Sequence, residues 1–392
     1  MRVIGYAYPW DVLGDPGFVD RVGDLGVDQV AIATAYHTTR AATPWQTGRA
    51  SVVAGHAALY RPVREDAWRG RALRPEPAGW VRSMDTGGDS AGAAVRALRM
   101  AGIGTALWVV LTHNSLLGNR FPGLTVRDCF DAPYPWALCP ARAQVRDYAA
   151  TLAAECLRDL EVDGVILESC GQMSAVHQHM HEKTDAVWSP AVQRLLSICC
   201  CSACTRNWRD AGLDPRRATT AIRDRVLALI ATGDLTTTDD GLAESVRDIV
   251  LAGRQRAADL LRGQVLAAMG PRDHVVLHGH PDPWVTGALP GLTPAAGKDV
   301  RGVVVPCWQP GDASLGVVRA ARTDLPDGVD VGAYVTAVAA APVPDIAGYV
   351  RDIAEAGANE LHLYHLGLAG PARWPDLTAA VTTAHGEKHV AQ

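Results

Sequence analysis

The stretch DGVILES at 163–169 opens on an Asp-Gly turn, runs through Val165, Ile166 and Leu167, and stops on a carboxylate, Glu168. An apolar, partly β-branched run with no polar alternation suits a parallel strand covered on both faces. Seven further runs of the same kind lie on either side of it. They are RVIGYAY (2–8), DQVAIATAYH (28–37), GTALWVVLTHN (104–114), DHVVLHGHP (273–281), RGVVVPCW (301–308), VDVGAYVTA (329–337) and NELHLYHLG (359–367). Helical patterns separate them at 16–25, 88–101, 142–160, 189–211, 242–269, 312–323 and 345–356. Short turns such as Leu25-Gly26-Val27-Asp28 and Ala356-Gly357 lead into the strands. Repeated β-α alternation with eight strands predicts an α/β fold of the (β/α)₈ barrel type. A doubly wound sheet usually has fewer strands, and no G-x-G-x-x-G follows a strand, so no organic dinucleotide cofactor is expected.

The spacing predicts one barrel domain over 1–385, with a helical insertion near 205–241 and a frayed tail at 386–392. The connections after strands 2, 3 and 4 are long, roughly 38–87, 113–141 and 169–188. Loops that follow barrel strands lie at the carboxyl-terminal face, where barrel enzymes carry their sites.

The chain is 48% hydrophobic and 20% charged with a net charge of −5, an ordinary globular composition without a basic footprint for nucleic acid. No apolar run is long enough to span a membrane, and the first ten residues do not read as a secretory signal. Nine cysteines, with four crowded into 199–204, do not read as a secreted disulfide framework. A cytoplasmic protein is expected. Oligomeric state is left open.

The strand ends place Tyr8 and Trp10, Tyr36 and His37, His113 and Asn114, then Glu168 on one face. His278, His280 and Asp282 follow, then Cys307 and Trp308, Tyr334, Tyr364 and His365. Eleven Trp and nine Tyr against three Phe favour rings with a polar handle, which suit stacking on a sugar while hydroxyls are hydrogen-bonded. A carbohydrate is therefore the expected ligand. Trp10, Tyr36, Trp308 and Tyr364 are the expected stacking platforms. His37, His113, Asn114, His280 and His365 are the expected hydroxyl partners.

Glu168 is the sharpest candidate. Burial by the aromatic rim is expected to raise its pKa and fit it as a general acid. The alternative is an ion pair with Arg40 or Arg120 that holds a loop. Eight residues on, His177 and His181 stand at helical i, i+4 spacing beside Glu182. They are read as pocket residues rather than a zincin site, because the order is not H-E-x-x-H. Cys199, Cys201 and Cys204 form C-x-C-x₂-C, which suits a tetrahedral structural Zn²⁺ with a fourth ligand from Cys129, Cys139, Cys170 or a His.

A glutamate closing the fourth strand, then a helix carrying C-x-C-x₂-C and an aromatic, resembles clan A glycoside hydrolases of the TIM-barrel fold. The likeness is to family 42 β-galactosidases, on Glu168, Cys199, Cys201, Cys204 and Trp208. Over most of its length the chain also resembles a group of actinobacterial and environmental proteins described as hypothetical glycosyl hydrolases. That likeness rests on Tyr36-His37, His113-Asn114, Leu138-Cys139-Pro140, Leu167-Glu168-Ser169 and the segment from His177 to Glu182. The first resemblance implies structural zinc on the cysteines and a retaining glycosidase with Glu168 as acid/base and a nucleophile at the end of strand 7. The sequence departs there, because Val331 to Ala337 holds no carboxylate and Leu167 replaces the usual Asn. Asp282 or Glu182 is then the expected second carboxylate. Two other readings stay open. One is a metal-dependent sugar isomerase or lyase with ligands from His37, His113, Glu168, His278, His280 and His365. The other is a barrel that binds sugar without cleaving it.

Overall fold

The computed structural model describes residues 1–84, 86–175, 183–184, 186–338 and 343–386. Eight parallel strands close on themselves: β1 (Arg2–Ala7), β2 (Gln29–Tyr36), β3 (Gly104–Val110), β4 (Gly164–Glu168), β5 (Val275–His278), β6 (Gly302–Pro306), β7 (Asp330–Thr336) and β8 (Glu360–Tyr364). Closure comes from β1, which pairs with β8 at Arg2↔Glu360 and with β2 at Ile4↔Gln29. The expected (β/α)₈ barrel is the fold.

Local sequence explains the outer helices. Asp89 caps Ser90–Met100 by accepting from the Gly92 N–H at 3.1 Å, and Asp345 caps Ile346–Glu355 by accepting from Gly348 at 2.8 Å. Each such cap is worth about 1 kcal/mol. Gly26, at φ 78°, ends Phe18–Leu25 in the left-handed region that favours glycine.

Two departures from the sequence reading have physical causes. The stretch 189–211 is two helices, Pro190–Leu196 and Ser202–Asp210, because the cysteine run between them leaves helical geometry. Between β5 and β6, where the sequence shows no helical pattern, only one helical turn forms, Ala296–Asp299. An additional helix, Trp374–Ala384, packs after β8; its Thr and Val content gives it little helical signal. The long connections are also structured. Thr39–Ala42 pairs with Ser51–Ala54 after β2, and Thr125–Arg127 pairs with Pro133–Leu138 after β3. Within 205–241 lies the helix Pro215–Thr232, whose Ile222 and Val226 bury against Val192, Leu195 and Val250. Most of the tail expected to fray, 387–392, lies outside the described residues. No described helix is long and apolar enough to cross a membrane.

The barrel interior is unusual for its polarity. Such interiors are normally filled by Val, Ile and Leu. Here Tyr6 stands against Trp108, Tyr334, His278 and His362, with ring centroids 4.8–5.8 Å apart.

Candidate active site

Glu168 is the last residue of β4, and the next residue, Ser169, turns the chain away with φ 55°. Glu168 is 4% exposed. Its Oε2 accepts the Trp108 indole N–H at 2.8 Å and faces His278 Nδ1 at 3.4 Å. Trp108 stands on β3 opposite Ile166, one pleat below Glu168, so its indole reaches upward to the carboxylate.

Burial alone would push the Glu168 carboxyl up. The His278 imidazole close by, the His37 imidazole and the Trp108 N–H outweigh it and hold the group below the ordinary carboxylate value. The expectation of a raised pKa is therefore corrected. An apolar rim does surround Glu168, but two imidazoles and an indole donor stand inside that rim. Neither Arg40 nor Arg120 is its partner: Arg120 pairs with Glu76.

Aromatic rings form a collar around this carboxylate. Tyr36 stacks on His37 at 4.2 Å, and His37 lies 4.2 Å from His113. Tyr8 lies 4.3 Å from His365 and 5.1 Å from Tyr36. Trp308, half-buried, stands 5.4 Å from Tyr364 and 4.7 Å from Tyr334. The phenols of Tyr8, Tyr36 and Tyr364 gather close enough to influence one another, and burial holds all three above the usual phenol range. Tyr36, His37, His113, Trp308, Tyr364 and His365 thus belong to one assembly.

The other expected residues make contacts of their own. Trp10 is fully buried behind Tyr8, which it stacks on at 4.3 Å, so it backs the collar instead of facing a ligand. Asn114 caps Ser115–Arg120, accepting from Leu117 N at 3.0 Å and donating to Tyr148 Oη at 3.3 Å. Asp282 closes a turn by accepting from Trp284 N at 2.9 Å, and its other oxygen faces Arg194 at 4.0 Å. His280 accepts the Asp282 N–H in the same turn. His177, His181 and Glu182 lie outside the described residues.

Asp11, which the sequence reading passed over, sits at the root of the first loop. Its Oδ2 accepts the Tyr8 N–H at 2.9 Å and lies 3.8 Å from His365 Nδ1. Burial pushes its carboxyl up to about 8. Gly367 is required beside it, since a Cβ there would stand 2.1 Å from Asp11 Cγ. The Gly367 N–H donates to His365 Nδ1 at 3.2 Å, which leaves the ring proton on Nε2. That nitrogen is buried and has no hydrogen-bond partner among the described residues.

A separate group can hold a metal ion. Cys139, just past the hairpin after β3, meets Cys199, Cys201 and Cys204 with S···S distances of 3.7–3.8 Å. Hydrogen bonds from Cys139, Cys199 and Cys204 hold the Cys201 thiol well below its usual range. Cys139 is the fourth member left open by the sequence, while Cys129 and Cys170 lie elsewhere. Among the described residues, the His and Glu set proposed for a sugar isomerase does not gather into a three-ligand group.

No family model matches the sequence, and no curated protein matches it. Solved structures do match. The glycoside hydrolase domain of PgaB (BpsB) from Bordetella bronchiseptica superposes with a TM-score of 0.59 at 15% identity, covering 97% of this chain and 99% of that one. α-L-Fucosidase isoenzyme 2 from Paenibacillus thiaminolyticus gives 0.57 at 13% identity over 98% of this chain; the match spans 49% of the fucosidase chain. The catalytic domain of β-amylase from Paenibacillus polymyxa gives 0.54 at 11% identity, covering 97% of each chain. The fold is one shared with glycoside hydrolases. The narrower likeness to family 42 has no matching family model or sequence relative behind it.

Proposed function

We propose that this protein hydrolyses a glycosidic bond, with Glu168 as the ionised carboxylate at the reacting carbon. The observation that carries the reading is a buried, hydrogen-bonded carboxylate at the end of β4, ringed by tyrosine, tryptophan and histidine. A group held below the ordinary carboxylate value is a poor proton donor at neutral pH. Glu168 is therefore assigned as nucleophile or base rather than as the acid expected from sequence. Trp308 and Tyr364 stack on the sugar ring, and His37, His113 and the His365 Nε2–H bind its hydroxyls.

Asp282 and Glu182 are the candidates for the acid that protonates the leaving oxygen. A good leaving group does not need that proton. Removal of the acid, by Asp282→Asn or Glu182→Gln, should therefore slow glycosides with poor leaving groups while sparing activated aryl glycosides. The first test is a turnover screen on α- and β-aryl glycosides, run with and without chelator. Hydrolysis that ignores chelator and vanishes in Glu168→Gln supports the reading. Sugar binding without turnover on any substrate would replace it with a non-catalytic barrel. Trp308→Ala is expected to raise KM about tenfold with little change in kcat, the pattern of lost stacking.

We also assign a structural Zn²⁺ to the four cysteines. Zn–S bonds of about 2.3 Å in a tetrahedron place sulfurs about 3.8 Å apart, close to the spacing found here. The half-buried Arg254 guanidinium lies in the field of Cys199 and Cys204 and offsets their charge. With four protein ligands the ion has no open position and holds structure only. Purified protein should contain one zinc per chain by elemental analysis, and Cys139→Ser should lose it and unfold at a lower temperature.

A further inference from the structure

His365, just past the end of β8, carries a donor that no described residue satisfies. Its Nδ1 accepts the Gly367 N–H at 3.2 Å. A ring nitrogen that accepts carries no proton, so the proton of the neutral imidazole sits on Nε2. The ring nitrogens point roughly opposite ways. Nδ1 faces the root of the first loop, where Asp11 Oδ2 lies at 3.8 Å, so the Nε2–H points away from that loop. The ring centroid lies 4.3 Å from that of Tyr8 and 5.3 Å from that of Tyr364, inside the aromatic collar. His365 is fully buried, and its Nε2 has no hydrogen-bond partner among the described residues. A buried donor without an acceptor leaves its desolvation uncompensated.

The surroundings hold this proton in place. Burial pushes the pKa of the ring down to about 3 and so keeps it neutral. Burial also keeps the Asp11 carboxyl uncharged at neutral pH, so no anion draws the ring proton to Nδ1. The Gly367 backbone must come close to give its N–H, and glycine permits it: a Cβ there would stand 2.1 Å from Asp11 Cγ. The neighbourhood also lacks a fixed cation. Among the described residues no Arg or Lys pairs with Glu168 or His365.

We infer that His365 is a specificity-determining residue: its Nε2–H reads one hydroxyl oxygen of an uncharged sugar, as a donor only. The inference rests on the proposed reading of this collar as a sugar site, and it narrows the substrate. A ring that donates there and cannot accept is served by the oxygen of the hydroxyl and is indifferent to the hydroxyl's own proton. Fluorine in place of that hydroxyl still accepts, whereas hydrogen leaves the N–H buried and unpaired. A neutral ring gives an acidic substituent no countercharge, and the ionised Glu168 in the same collar repels one.

The test uses the full-length chain and a panel of α- and β-4-nitrophenyl galactosides, glucosides, fucosides, N-acetylglucosaminides and glucuronides. ¹H–¹⁵N NMR of the histidine rings, with His365 assigned through His365→Leu, should show a bare Nδ1 and a protonated Nε2 between pH 5 and 7. In Glu168→Gln, which keeps the glycoside intact, an uncharged member of the panel should move the Nε2–H proton downfield. In the wild-type protein the glucuronides should not bind. Each hydroxyl of the glycoside that binds is then replaced in turn by hydrogen or by fluorine. At one position the deoxy analogue should bind about tenfold more weakly, while the fluoro analogue keeps most of the affinity. His365→Leu should bind the parent glycoside about tenfold more weakly and erase that deoxy penalty, a coupling that lost packing alone does not produce.

A ring protonated on Nδ1, an Nε2–H that no glycoside moves, deoxy and fluoro analogues that lose equally at every position, or a glucuronide as the tightest ligand would overturn the inference. None of these readouts needs turnover. A glycoside that binds at His365 and is never hydrolysed would sink the glycosidase reading and leave the donor assignment standing. Hydrolysis without an Nε2–H response would do the reverse. If His365→Leu fails to fold, His365→Gln provides the assignment, and the ring tautomer and the analogue series decide.

Discussion

Glu168→Gln should lower kcat by about 10²–10⁴-fold, the range for removing a group that moves a proton or forms a bond at the reacting carbon. The amide keeps an oxygen for the Trp108 N–H, so the circular dichroism spectrum and the unfolding temperature should stay close to wild type. The pH dependence carries a sign as well. A carboxylate held below the ordinary 4.5 stays ionised through neutral and mildly acidic pH. Wild-type activity that depends on the anion should therefore fall only as pH drops below about 4.5. An acid limb near neutral would contradict the environment built by His278, His37 and Trp108.

Asp11→Asn should stabilise the protein at alkaline pH and leave it unchanged in acid. The Asp11 carboxyl ionises at about 8 in the folded chain and at 3.8 in the unfolded one. Between these values the unfolded chain releases a proton that the folded chain keeps. The contribution of Asp11 is thus complete below pH 3.8 and is lost as pH rises through 8. Each unit of separation corresponds to about 1.4 kcal/mol. Asparagine retains an acceptor for the Tyr8 N–H and cannot ionise. The unfolding temperatures of variant and wild type should coincide near pH 4 and separate by several degrees at pH 8. A parallel pH dependence in the two proteins would show that Asp11 does not titrate as its burial implies.

The barrel was legible because its strands are apolar on both faces and so interrupt the helical period visibly. The hairpins after β2 and β3 were not, since three- or four-residue strands carry too few alternations to read. The same logic governs the site. Glu168 stood out as a charge at the end of an apolar run. Trp108, Tyr6 and His362 did not, because which face of such a strand points inward depends on register, and a run apolar on both sides does not reveal register. Cys139 was one of several candidates, for it lies 60 residues before Cys199 and only the hairpin after β3 brings it back. The pKa of Glu168 was misread for a related reason: burial was visible in the aromatic run ends, while the imidazole that opposes it comes from β5.

The four-cysteine cluster has a consequence for the unfolded chain. Cys139 and Cys204 are 65 positions apart, and a shared ion would close the chain between them, including β4 and Glu168, into a ring. If the ion stays bound during unfolding, the polymer entropy removed is that of a cross-link of this span, about 4 kcal/mol at room temperature. The stretch of chain that carries the reactive carboxylate would then begin every refolding event already looped.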